Sequence, residues 1–217
     1  MSALPRSGMV ARMELLYFAN PMCSWCWGFS PVIQTLRSRH SGRFRLTVAT
    51  GPLGRSTGEP MRDKDKQAVR KHWQHVIELT GQPFDVSFFD RDGFVYDTAP
   101  ACRALALMRA SYPALAPVFL HRLQERFYAF NDDITDPDRL SAIAGDFGQD
   151  VAEFRERLDD PALADAVHRE WQQTVSMGVT GYPMLLAMND GRAHALAVGC
   201  QTIEHVEHEL ATFSKTL

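Results

Sequence analysis

The chain has 217 residues, 45% hydrophobic and 23% charged, with a formal net charge of −3, as is typical of a globular protein with one or two domains. Its 26 acidic residues outnumber its 23 basic residues, which argues against a nucleic-acid partner because such proteins normally carry a basic surplus. No apolar run reaches the roughly 18 residues of a membrane span, and the four cysteines are too few for a disulfide-stapled scaffold.

The N-terminus carries Arg6 and Arg12, but the residues that follow lack the features of a secretory signal. The apolar stretch that follows contains Glu14 and is too short for the apolar region of such a signal. We therefore expect residues 1–12 to form a mobile leader and the protein to lie in the cytoplasm, where thiols are held reduced. Closely spaced cysteines in that compartment indicate a reactive pair rather than a structural disulfide.

The first part of the chain predicts a strand, a helix and a second strand, which together make a βαβ unit. Residues 13–20 form an apolar run rich in aromatic residues, as in a strand covered on both faces, and residues 44–49 alternate as a strand does. The intervening helix is expected to be interrupted near its start by Ser30-Pro31. Residues 51–58 are glycine-rich but lack the Gly-Lys-Ser/Thr of a phosphate loop, so we expect them to connect the sheet to the next segment.

The middle of the chain, residues 59–177, has a helical period almost throughout and predicts an all-helical insert. Gly81 signals a helix end, and Asp97-Thr98 can cap a helix that has Pro100 in its first turn. Further helices are predicted at residues 118–130, 137–146, 151–158 and 162–177. Since no repeat of fixed length is present, a solenoid is not expected.

The last forty residues predict two strands and a helix. Residues 183–187 and 193–198 flank Asn189-Asp190-Gly191, a hairpin turn signal, and residues 202–213 have one apolar helical face. The two ends of the chain are expected to form one mixed α/β sheet. We therefore predict a sheet domain made of residues 13–58 and 178–217, with residues 59–177 as a helical insert domain beside it.

The most informative motif is the Cys-Ser-Trp-Cys sequence at residues 23–26, which follows a predicted strand and opens a predicted helix. Backbone N–H groups and the helix dipole favour a thiolate at Cys23 in that position. A thiolate there can attack an external disulfide, and Cys26 can resolve the mixed disulfide. The alternative is half of a zinc site, but Cys102 and Cys200 are isolated and do not form a second half. We therefore expect redox chemistry and no metal.

A second motif, residues 178–183, ends in Tyr182-Pro183 directly before a predicted strand. A proline at this place is a site where a cis peptide bond can occur, and such a bond would offer the Tyr182 backbone to an extended peptide. A plain turn into the strand is the alternative from the residues alone.

Residues 17–29, which include Cys23 and Cys26, and residues 179–183 together resemble the DsbA-like branch of the thioredoxin superfamily, especially its cytoplasmic predicted disulfide isomerases. The resemblance covers nearly the whole chain and implies a thioredoxin fold with a large helical insertion and thiol–disulfide oxidoreductase activity. It implies Cys23 as nucleophile, Cys26 as resolving thiol and Pro183 as a cis-proline opposite them. The implied substrate-binding residues are Trp25, Thr180, Tyr182 and Pro183.

The resemblance also implies the reaction partners, which are a disulfide-containing protein or peptide, or glutathione. No cofactor is expected beyond the Cys23–Cys26 pair, with glutathione as a possible co-substrate, and the protein is expected to be a monomer or homodimer. The best-known periplasmic oxidase of the family has Pro-His between its cysteines, whereas this chain has Ser24-Trp25. A strongly oxidising character is therefore not carried over.

Two other functions remain open. Kappa-type glutathione transferases and 2-hydroxychromene-2-carboxylate isomerases share the fold and the insert but use a serine near the first cysteine position to serve bound glutathione. Retention of both Cys23 and Cys26 favours the dithiol interpretation over a glutathione-dependent isomerase. The second alternative is a non-catalytic binding module that uses its thiols as a redox sensor.

The remaining reactive side chains are predicted to be structural. Cys102 lies on an apolar helical face and is expected in the core, while Cys200 at a strand end is read as structural, with glutathionylation as the alternative. His72 and His75 are expected on a solvated helix face. For Trp25, a docking surface for peptide and a place in the core are equally expected, and Trp27 and Phe29 are assigned to the core.

Overall fold

The computed structural model describes residues 13–54 and 58–215. The expected leader at residues 1–12, part of the glycine-rich connection at residues 55–57 and the last two residues lie outside the described residues. The strands are β1 (Met13–Ala19), β2 (Phe44–Thr50), β3 (Met184–Asn189) and β4 (Arg192–Val198). The helices are α1 (Ser24–Arg39), α2 (Asp63–Thr80), α3 (Ala99–Ser111), α4 (Ala116–Tyr128), α5 (Pro137–Gly145), α6 (Val151–Leu158), α7 (Pro161–Ser176) and α8 (Ile203–Ser214), with a 3₁₀ helix at Val86–Asp90.

The four strands form one mixed sheet in the order β2-β1-β3-β4. β1 pairs parallel with β2 and antiparallel with β3, and β3 pairs antiparallel with β4. Asp190 (φ 47°) and Gly191 (φ 77°) make the predicted hairpin turn with left-handed backbone. The two ends of the chain therefore combine into the predicted α/β sheet, with the helical segment inserted between them.

Helix α1 corrects one expectation, because it runs unbroken through Ser30-Pro31. Proline lacks an N–H group, so Pro31 cannot donate to the carbonyl of Trp27 four residues earlier. The side chain of Gln82 supplies the missing hydrogen bond, with Nε2 donating to Trp27 O at 2.9 Å. A residue just beyond α2 thus lets the helix that begins beside the thiols continue through the proline.

Side chains from helices α3 and α7 of the insert form hydrogen bonds with the outer edge of β2. Arg109 donates to the Val48 carbonyl at 2.5 Å and pairs with Glu170, whose Oε1 accepts from Thr50 N at 2.5 Å and from Thr50 Oγ1 at 2.7 Å. Thr174 Oγ1 donates to Thr50 O at 2.8 Å. Outward-facing backbone groups at the end of β2 are thereby satisfied, which holds the following residue, Gly51, in place.

One buried hydrophobic cluster includes residues of the sheet, of α1 and of the helical insert. Its aromatic centre is Trp73 on α2, which contacts rings from the 3₁₀ helix and from α4 at 4.8 to 6.2 Å between centroids. The division into a sheet domain and an insert domain stays a prediction. Within the described ranges, no helix combines the length and apolar character needed to span a membrane.

Candidate active site

Cys23 is the N-cap residue of α1, in extended conformation with φ −93° and ψ 114°. Its N–H donates to Asn20 O at 3.1 Å, and its carbonyl accepts from Trp27 N at 3.1 Å, the first bond of the helix. Cys26 lies in the first helical turn, and both side chains are buried free thiols. The structure thus places the cysteine pair where the sequence predicted, between the end of β1 and the start of α1.

Asn20 holds the loop that carries Cys23, and the sequence analysis did not identify it. It is fully buried; its Oδ1 accepts from Met22 N at 2.9 Å, and its Nδ2 donates to Gly51 O at 2.9 Å and to Thr98 Oγ1 at 3.2 Å. These bonds join the ends of β1 and β2 to the start of α3. An asparagine directly before Pro21 is a turn signal, but sequence alone does not show its long-range partners.

The two thiols have opposite pKa shifts. The pKa of Cys23 is lowered, most strongly by a hydrogen bond from the Cys26 side chain, with burial opposing this and the backbone N–H groups of Cys26 and Trp25 adding to it. Burial raises the pKa of Cys26 well above its usual value, and its hydrogen bond to Cys23 raises it further. Cys23 is therefore the thiol that ionises first, and Cys26 is the proton donor that stabilises its anion.

The Tyr182–Pro183 peptide bond is cis and lies against the first thiol. Cys23 Sγ donates to the Tyr182 carbonyl oxygen at 3.7 Å. Pro183 is buried, and its carbonyl accepts from Gly199 N at 2.9 Å, which ties the loop to the end of β4. The structure therefore brings together Cys23, Cys26 and the Tyr182–Pro183 loop.

The ring of Tyr182 is half-buried over Gly51. A Cβ atom at Gly51 would lie 1.7 Å from Tyr182 Oη and 2.6 Å from Cζ, so only glycine permits this approach. Thr180 is exposed on the same loop, and within the part of the chain that the structure describes no hydrogen bond joins its side chain to either thiol. Its assignment to substrate binding stays a prediction.

The aromatic residues after Cys23 divide between surface and core. Trp25 is partly exposed and packs edge-on against His75 of α2, with 5.2 Å between ring centroids. Trp27 is 3% exposed, stacks on Tyr128 and donates through Nε1 to a backbone carbonyl at 3.0 Å, while Phe29 is fully buried. The core assignments of Trp27 and Phe29 are confirmed, and Trp25 presents a partly exposed apolar ring next to Cys23.

The other two cysteines differ in their surroundings. Cys102 is fully buried, packs with Ala106 and Val167 and accepts from Asn20 Nδ2 at 3.6 Å, and burial raises its pKa, which confirms it as a core residue. Cys200 is partly buried. Burial raises its pKa, and the charge of Cys23 raises it further, so Cys200 lies within electrostatic range of the first thiol.

The two histidines of α2 and a cavity at the edge of β2 lie apart from the thiol site. His72 and His75 are both exposed on α2, as predicted, and residues 13–54 and 58–215 contain no group of three or more His, Cys, Asp or Glu side chains that could hold a metal ion. A cavity of about 730 Å³ lies at the edge of β2, lined by residues that include Arg37, His40 and Arg45 but not by Cys23 or its loop.

A family model described as DSBA-like thioredoxin domain matches residues 14–211. Among curated proteins, the chain is similar to the ClpXP adapter protein SpxH of Halalkalibacterium halodurans, with 25% identity over 182 residues. The match covers 82% of this chain and 59% of that protein. The chain thus spans about three fifths of the length of the curated relatives it matches.

Solved structures share the fold over nearly the whole chain. A structure from Nitrosomonas europaea, described as a "putative protein disulfide isomerase", has a TM-score of 0.86 and 28% identity and covers 94% of this chain and 98% of its own. The cytosolic disulfide reductase DsbM from Pseudomonas aeruginosa has a TM-score of 0.75 and 23% identity and covers 94% of this chain and all of its own. A second DsbM structure, described as containing GSH, has a TM-score of 0.74 and 21% identity and covers 93% of this chain and 99% of its own.

Proposed function

Since the chain belongs to the family of DSBA-like thioredoxin domains, we propose that it is a thiol–disulfide oxidoreductase that exchanges disulfides through Cys23 and Cys26. Its substrates in this proposal are disulfide-containing proteins or peptides. The opposite pKa shifts of the two thiols carry the proposal, because they provide one nucleophile and one protonated partner in a single helical turn.

The reaction proceeds by two displacements at sulfur. The Cys23 thiolate attacks one sulfur of the substrate disulfide, which forms a mixed disulfide and releases the first substrate thiolate, which takes up a proton. Cys26 then loses its proton and attacks Cys23 Sγ, which forms the Cys23–Cys26 disulfide and releases the second substrate thiol. The substrate gains two electrons and two protons, and the protein is left oxidised until a second thiol pair reduces it.

The Tyr182–Pro183 loop positions the substrate in this proposal. The Tyr182 carbonyl faces the attacking sulfur at 3.7 Å, so an extended peptide bound along the loop would bring its own sulfur to Cys23. Trp25, partly exposed beside the thiol, supplies apolar contact area for such a peptide.

Glutathione is the small thiol we propose as co-substrate, and the cytoplasm is the proposed compartment. DsbM is described as a cytosolic disulfide reductase, and one of its structures as containing GSH. In a reducing compartment the proposed net direction is reduction of substrate disulfides, with glutathione returning Cys23 and Cys26 to the dithiol.

The test is reduction of insulin disulfides with glutathione as electron donor. We expect Cys23→Ser to abolish activity and Cys26→Ser to accumulate a mixed disulfide at Cys23, detected by mass. Cys200→Ser is the matched control, since it removes a nearby thiol that takes no part in the steps above, and it is expected to retain activity. Full activity in Cys23→Ser would refute the proposal.

A second candidate is a non-catalytic adapter whose thiols act as a redox sensor. The observation in its favour is that the curated relatives are named ClpXP adapter proteins. In that case the Cys23–Cys26 pair would oxidise and reduce reversibly, but no disulfide substrate would turn over. The insulin assay separates the two functions, because only the oxidoreductase reduces substrate in molar excess over protein.

A further inference from the structure

The side chain of Tyr17 lies beneath the first turns of α1. On β1, Leu15, Tyr17 and Ala19 alternate onto one buried face of the strand and belong to the cluster that contains both thiols. The ring centroid of Tyr17 is 6.0 Å from that of Phe29, which follows Cys26 by three residues and so shares its helix face. The phenol is therefore packed in the same cluster as Cys26 and against a ring on the same face of α1.

The Tyr17 hydroxyl is buried, and the residue is 2% exposed. In the resting dithiol this hydroxyl has no hydrogen-bond partner among the described residues. Leaving a polar group buried and unsatisfied costs stability, so an unpartnered hydroxyl beside a reactive sulfur calls for a functional explanation.

We propose that the Tyr17 hydroxyl donates a hydrogen bond to Cys26 Sγ when that sulfur becomes an anion, and so acts as a catalytic residue in the resolving step. The inference rests on the proposed function, because it assigns the group that assists Cys26 in the same exchange. A fixed donor aimed at a charge that develops only during reaction stabilises that charge without reorganisation.

The charge balance around Cys26 agrees with this role. Burial and then Cys23 raise the pKa of Cys26, whereas the Tyr17 hydroxyl acts in the opposite direction and lowers it. Burial raises the pKa of Tyr17 well above its usual value, and the charge of Cys26 raises it further. Tyr17 therefore stays protonated and serves as a donor, not as a base.

The same donor assists both directions of exchange. In reduction, the proton of Cys26 passes to solvent, the thiolate attacks Cys23 Sγ, the Cys23–substrate bond breaks, and the substrate leaves as a thiolate that takes up a proton. In oxidation, a substrate thiolate attacks Cys23 of the oxidised protein and Cys26 leaves as the anion. Tyr17 retains its own proton throughout and only stabilises the negative sulfur.

The size of the effect follows from how thiol reactivity depends on pKa. Below the pKa, each unit by which it falls raises the thiolate fraction tenfold and lowers intrinsic nucleophilicity about threefold, a net gain of about threefold. A hydrogen bond to a charged group corresponds to about one to two pKa units. Tyr17→Phe is therefore expected to slow resolution about 3- to 10-fold.

The experiment is a single turnover of the reduced full chain with one equivalent of 5,5′-dithiobis(2-nitrobenzoate) in stopped flow, with Cys200→Ser in every protein compared so that this partly exposed thiol releases no product. The first thionitrobenzoate released reports attack by Cys23, and the second reports resolution by Cys26. For Tyr17→Phe we expect an unchanged first phase and a second phase that is 3- to 10-fold slower, with its pH profile displaced to higher pH. The melting temperature of the reduced protein is expected to be unchanged or higher, because the hydroxyl lost is unpartnered.

Tyr128→Phe is the matched control, since its hydroxyl is also buried without a partner, and it should leave the pH profile of the second phase in place. Equal second-phase rates and pH profiles in wild type and Tyr17→Phe would overturn the inference, as would equal slowing in Tyr128→Phe.

A second experiment keeps the native packing by placing 3-fluorotyrosine at position 17 alone. The fluorinated phenol is a more acidic donor and should displace the pH profile of the second phase to lower pH. No displacement would count against the inference. If the wild type releases product in two phases and Tyr17→Phe has no effect, this inference fails and the proposed function stands. If the wild type shows no second release, this inference and the proposed function both fail.

Discussion

Gly51→Ala tests how the end of β2 supports the loop opposite the thiols. The added methyl would lie 1.7 Å from Tyr182 Oη, 2.6 Å from its Cζ and 3.0 Å from Thr174 Cγ2, so the Tyr182 ring must move. Overpacking of this kind costs about 1–3 kcal/mol. For a chain of this size about 2 kcal/mol lowers the melting temperature by about 4–8 °C. Because the Tyr182 carbonyl faces Cys23 Sγ, disulfide exchange should slow as well.

A double-mutant cycle measured by thermal unfolding isolates the clash. In a Tyr182→Ala background the ring is absent, and Gly51→Ala should cost less than about 1 kcal/mol, which gives a coupling energy of about 1–2 kcal/mol. Gly181→Ala is the control for a glycine in the same loop, since a Cβ there meets nothing within 4 Å, and its effect should stay within about 0.5 kcal/mol. The same loss of stability for Gly51→Ala in both backgrounds would refute the steric reasoning.

Three further substitutions test other parts of the site. Cys26→Ala should raise the pKa of Cys23, because its largest stabilising hydrogen bond is lost; an unchanged titration of thiolate absorbance near 240 nm would contradict this. Gln82→Leu should lower the free energy of unfolding in urea by about 1–2 kcal/mol, because the Trp27 carbonyl loses its donor; unchanged stability would argue against it. His121 of α4 lies beside the ring of Trp27, with 5.5 Å between ring centroids. Burial lowers the pKa of His121, so the unfolded chain binds the proton first as pH falls below about 6.5, and stability declines from there towards the folded pKa. His121→Gln should flatten that decline between pH 7 and pH 5, and an unaltered slope would exclude the assignment.

Elements set by local pattern were predictable from the sequence. Aromatic and aliphatic residues at 13–20, the turn at Asn189-Asp190-Gly191 and the Gly81 helix end, with φ 69°, all coincide with observed elements or boundaries. The position of Cys23 at a helix start followed from the same local reasoning. These features depend on residues only a few positions apart, which a sequence displays directly.

Features that depend on distant partners were not predictable. Pro31 was read as an interruption because the Gln82 side chain that replaces its hydrogen bond lies 55 residues from Trp27. Within the predicted strand, Tyr17 is one aromatic residue among several. Its proximity to Cys26 arises only when α1 packs on β1. Such contacts require the assembled fold.

The pKa of Cys23 in the wild-type protein tests the central claim most directly. It is measured from the pH dependence of alkylation by iodoacetamide, resolved by tandem mass spectrometry whose fragment ions distinguish Cys23 from Cys26 on their shared peptide, so that the other three thiols do not contribute. We predict a midpoint below the value of about 8.5 for free cysteine, because hydrogen bonds from Cys26 and from the helix start favour the anion. A midpoint at or above that value would contradict the assignment of Cys23 as the attacking thiol.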